Sequence, residues 1–149
     1  MGTISILMAL LIPAIAPVAG YFLGKAAKEE LSAGKKYFVA MQHVLFIAVS
    51  AVFLYAHKWE WYVVVLGLAA VFTYLVFRQA RTAFVVDFLF GIAFALAVNT
   101  SMLFLISVLI FIYGLPTGSL FAKQKKGLYR AIGAGLLFGM VAYAAGFFL

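Results

Sequence analysis

The chain has 149 residues, of which 68% are hydrophobic and 10% charged, with a net charge of +7 and no cysteine. A soluble domain carries about 25% charged residues and could not hide this much apolar surface, so a soluble fold is excluded. Without cysteine there is no disulfide or thiolate metal site, and two histidines, His43 and His57, are too few for a zinc or haem site.

The first apolar stretch, residues 4–23, reads as a retained membrane span. No basic residue precedes it, as a cleavable leader would require, and the first ones follow it at Lys25 and Lys28. Ala9, Pro13 and Pro17 step by four along this span, and Gly20 and Gly24 continue on nearly the same side. In lipid, helices associate by close packing, so small residues such as Gly20 and Gly24 mark helix contacts. The prolines each remove a backbone donor, and a bent helix is expected.

The second span covers residues 37–56 and carries Gln42 and His43 about 8–9 Å inside its cytoplasmic end. The third, 61–77, places Thr73 and Tyr74 one turn above Arg78. Between them Tyr55, Trp59, Trp61 and Tyr62 surround His57-Lys58, an aromatic belt of the head-group zone.

Residues 82–115 form a run too long for one span, since 34 residues would rise about 51 Å against a hydrocarbon core of about 30 Å. The polar break Asn99-Thr100-Ser101 divides it into spans at 82–98 and 102–115, with Pro116 read as the helix stop. A re-entrant hairpin is the alternative, and length favours full crossing. The last span, 128–149, contains Gly135-x-x-x-Gly139. This small-residue spacing predicts a helix contact at Gly135 and Gly139, either within the chain or as a dimer seam.

The fold expected is all-α: a single polytopic domain over residues 1–149, a bundle of six transmembrane helices with short loops. Ten of the eleven basic residues fall in alternate loops, and only Lys58 falls in the others. By the positive-inside rule those loops are cytoplasmic, which puts both termini outside a cell membrane. The positive charge thus has a topological reading. With few aromatics among the lysines, no nucleic-acid partner is expected. The expected partners are the lipid bilayer and a second copy or other membrane subunits.

Asp87 is the outstanding polar residue. It lies about 8 Å inside the fourth span, and Asp87, Gly91, Ala95 and Asn99 follow at steps of four. Gln42, His43, Thr73, Tyr74 and Tyr113 are expected near the depth of Asp87, with Asn99 at the far end of the ridge. His43 is the first candidate partner for the carboxyl, followed by Arg78, Arg81 and Tyr74. An ionisable group in a span is costly, so this cluster is either a polar staple or a cytoplasm-facing cavity.

No catalytic motif, cofactor fingerprint or metal-ligand spacing is present, and four acidic residues are too few for a metal-dependent lipid phosphotransferase. The sequence gives no ground for an enzyme, a cofactor or a metal. Two functions are expected: a small transport or permeation component, or a non-catalytic membrane subunit or scaffold that docks partners through small-residue faces.

Overall fold

The computed structural model describes residues 3–27, 29–56 and 82–148. Five helices occupy them: α1 (Thr3–Ala26), α2 (Glu30–Ala56), α3 (Thr82–Ala97), α4 (Leu103–Phe121) and α5 (Gly127–Phe148). Four of the five are long and apolar enough to cross a membrane, and α3 is shorter. The protein is an all-α multi-pass membrane protein. The third expected span, residues 61–77, lies outside the described residues.

Helix α1 is sorted inside out relative to a helix of a soluble protein. On α1 the buried face is Ala9, Pro13, Ala16, Pro17, Gly20 and Gly24, while Leu7, Met8, Leu11, Ile15 and Phe22 point outward. Lipid receives the large side chains, and small ones let backbones approach. On α5 the buried positions Gly127, Ala131, Ala134, Phe138 and Ala142 recur at three or four residues, the helical period.

Helix α4 is central. It packs on all four others, most extensively on α1, while α3 leans chiefly on α5 and α2 on α4. Ser107 meets Ala9, Gly114 meets Ala16, and Ser119 meets Gly20 and Gly24, so α1 and α4 run parallel. Their contact is backbone to backbone. A methyl group placed on Gly114 would come within 2.6 Å of the Ala16 side chain. One on Gly24 would come within 2.7 Å of Ser119 Cα, and one on Gly118 would run into the Pro17 carbonyl. Glycine is required here by proximity.

A core of aromatic rings joins the remaining helices. Phe90 of α3 stacks on Phe46 of α2 at 5.4 Å between centroids and meets Tyr113 of α4 edge-on at 4.8 Å. Phe94 of α3 meets Phe138 of α5 edge-on at 5.7 Å. Such offset and edge geometries add to the packing energy of the buried rings.

Pro116 does not end its helix. The structure carries α4 through it to Phe121, six residues past the expected end. A proline costs one donor, but breaking the helix there would expose several more backbone groups to a medium without water. The hydroxyl of Ser119, within 3.0 Å of the Leu115 carbonyl, supports the turn around the proline.

The turn at residues 98–102 follows from Thr100. Its amide and its hydroxyl both donate to the Ala97 carbonyl at 2.8 Å, and its Oγ1 accepts from the Met102 amide at 3.3 Å. The α1–α4 register puts this turn level with the start of α1.

Candidate functional site

The α2–α4 contact fixes a layer of polar groups near one end of the bundle. Gln42 Nε2 donates to Thr117 Oγ1 at 2.7 Å, and the Thr117 hydroxyl donates to the Tyr113 carbonyl one turn back at 3.0 Å. Thr117 lies four residues before the end of α4, about 6 Å along the helix. Bonding its own backbone leaves the threonine oxygen free to accept from another helix.

Asp87 enters this layer from α3. It is 5% exposed, flanked by Val86 and one turn from Phe90, and Tyr113 is close enough to feel its charge. Its Oδ2 atom is buried and has no hydrogen-bond partner among the described residues. Buried polar atoms are nearly always paired, and an unpaired one costs about 1–3 kcal/mol or more.

His43 is turned away from this role. Its Nδ1 donates to the Val39 carbonyl of its own helix at 2.6 Å, and no bond joins it to Asp87 among the described residues. Adjacent helical positions diverge by about 100°, so when Gln42 faces α4 its neighbour cannot. Asn99 lies exposed in the turn at the opposite end of the bundle, separated from Asp87 by the rings of Phe90 and Phe94. Thr73, Tyr74, Arg78 and Arg81 lie outside the described residues. Thr117, absent from the expected cluster, is the residue that connects it. Its only signal in the sequence was a hydroxyl four residues after Tyr113.

The layer's end of the bundle is also its basic end. Lys25, Lys35, Lys36, Lys123, Lys125, Lys126 and Arg130 are all exposed there, at the end of α1, the start of α2 and the α4–α5 turn. Arg130 donates to Gln124 across that turn. Among the described residues no group of three potential metal-ligating side chains occurs.

The small-residue contacts divide. Gly20 lies against the Leu115 carbonyl, Gly24 against Ser119, and Gly135 against the Ala14 carbonyl. Among the described residues nothing lies within 4 Å of where the Gly139 side chain would begin. Helix α5 meets α1 at Gly135, and one turn later the site is open.

Comparison with models of protein families, with curated proteins and with solved structures finds no match for this chain.

Proposed function

We propose that the protein is a small transport or permeation component of the cell membrane. In this reading Asp87 is the proton- or cation-binding group of a cytoplasm-facing polar cavity. The observation that carries it is the buried Asp87 oxygen without a partner among the described residues. A carboxyl facing apolar surroundings costs about 2.5–3.5 kcal/mol even on lenient insertion scales, and any apolar residue would avoid that cost. A bound proton or small cation would supply the missing partner. Tyr113 and Thr117 on α4 and Gln42 on α2 offer oxygens nearby.

Among the described residues, the other groups facing Asp87 leave it dominant. From α2 the candidates are Gln42 and His43, the latter held by its own backbone. From α4 it is Tyr113, and α5 has no ionisable residue from Ala131 to Leu137. Outward of the layer, Phe90, Phe94, Ile106 and Ile110 close the bundle.

The reading includes six spans with both termini outside. Two observations support it. The basic residues of the described helices gather at one end. In addition, the helix register leaves Ala56 and Thr82 at opposite ends of the bundle, as an intervening span requires.

The test is flux in reconstituted vesicles. A pH gradient and, separately, sodium and potassium gradients are imposed, and proton and cation movement are followed with entrapped dyes. Asp87→Asn is expected to insert normally and to lose the movement. Equal movement in wild type, Asp87→Asn and empty vesicles would overturn the proposal.

A second reading, a non-catalytic membrane subunit or scaffold, is favoured by the open Gly139 on the outer face of α5. The chain lacks cysteine, so a single Gly139→Cys reports on it directly. Disulfide-linked dimers, or adducts with a stoichiometric copurifying subunit, are its expected signature.

A further inference from the structure

A groove of about 460 Å³ runs between α1 and α5 on the lipid-facing side, away from the Asp87 layer. Its floor is where Gly135 lets the Ala14 backbone come close. Its walls are Ile15, Val18 and Phe22 on one side and Ile132 and Leu136 on the other. Residues 14–22 rise about 12 Å, so the groove occupies one leaflet and points along the helix axes toward the basic end.

The end of the groove is cationic. Lys25 continues the Phe22 face of α1 by one turn, its ammonium 5.8 Å from the centre of the Tyr21 ring. Tyr21 in turn touches the start of α5, where a side chain on Gly127 would come within 3.0 Å of its ring. Lys126 directly precedes Gly127, and Lys123 follows Ala122, which packs on Gly24. Lys25, Lys123 and Lys126 thus form one rim above an apolar slot. Two acidic residues lie at this end as well, Glu29 in the connection from α1 and Glu30 at the start of α2, a helix that packs chiefly on α4, and the three rim lysines outnumber them.

From this we infer that the α1–α5 groove holds an acyl chain of an anionic phospholipid from the leaflet on the basic side, with its phosphate at the lysine rim. Basic pockets between helices at a membrane surface recognise such head groups. A second copy is a poorer occupant. Related by an axis along the membrane normal, it would set its own lysines against this rim.

The experiment uses the full chain, delipidated in a neutral detergent. Its Tm and its retained lipid by native mass spectrometry are measured with added phosphatidylglycerol or phosphatidylcholine of identical chains. Phosphatidylglycerol is expected to raise Tm by about 5 °C more than phosphatidylcholine at saturating excess. The exposed-charge variant Lys25→Gln/Lys126→Gln should lose that difference and keep its response to phosphatidylcholine. Ala19→Trp, which fills the groove, should lose retained phosphatidylglycerol. Equal responses of the wild type to the two lipids would overturn the inference, as would a difference that survives the charge variant. So would a dimer in light scattering that Ala19→Trp converts to monomer, because a second copy would then be the occupant.

Discussion

Ser107 donates its hydroxyl proton to the carbonyl of Ala9 at 2.6 Å, the carbonyl that Pro13, four residues on, leaves without its helical donor. The bond crosses from α4 to α1, so the same proline that weakens α1 also supplies the acceptor that ties it to the central helix. In a medium without water such an orphaned carbonyl must find a partner within the protein. Further along the same seam Ser119 Oγ donates to Gly20 O at 2.9 Å. The two serines hold a parallel helix pair at two levels.

Ser107→Ala is expected to lower stability by about 1–2 kcal/mol, because it leaves the Ala9 carbonyl buried and unpaired. In a Pro13→Ala background the helix regains its own donor, and Ser107→Ala should cost less than half as much. A double-mutant cycle by thermal unfolding in detergent measures the coupling. Additive effects would show that the bond does not serve the orphaned carbonyl.

Gly118→Leu and Gly20→Leu are expected to destabilise by about 3 kcal/mol or to prevent folding, since each side chain would collide with the backbone of the facing helix. Gly139→Leu should stay within about 0.5 kcal/mol of wild type in the monomer, because its site is open. Expression level and Tm of the three variants, compared side by side, decide this. A Gly139 variant as damaged as the other two would place a contact where the described residues make none.

Asp87→Leu should be neutral or raise Tm, while Asp87→Asn stays near wild type. The buried Asp87 oxygen has no partner among the described residues, and a buried polar group without one contributes nothing to the fold that an apolar side chain of similar volume does not. A purely structural carboxyl would give the opposite order, with Asp87→Leu the least stable. Paired with the vesicle measurement, gain of Tm with loss of flux is the signature of a functional group kept at the expense of stability.

Single cysteines check the topology. Lys125→Cys, in the α4–α5 turn, should resist an impermeant maleimide applied to intact cells and react after lysis. Asn99→Cys, in the turn at the other end, should react from outside. Labelling in the reverse pattern inverts the bundle.

Much of this architecture is legible in the sequence because the bilayer imposes it one segment at a time. Span length, the break at Asn99 and the clustering of lysines each depend on residues near in the chain, and lipid rewards them locally. The extent of α5, the start of α1 and the end of α2 lie close to the expected spans, whereas α2 begins seven residues earlier than expected, at Glu30, and α1 runs three residues further, to Ala26. What neighbours decide is different in kind. Pro116 reads as a stop in isolation, yet inside the bundle the helix continues because ending it would orphan more backbone groups than the proline does. Gly135 and Gly139 are equivalent by spacing, and only the crossing of α5 over α1 makes the first a contact and leaves the second open. Gln42 and His43 are adjacent polar residues at one depth. The rotation of α2 against α4 gives Thr117 to the glutamine and leaves the histidine to its own backbone. Periodicity specifies which face of a helix is small or polar. Which atom on another helix meets that face is set by packing across some 75 to 100 residues of chain, and no local pattern encodes it.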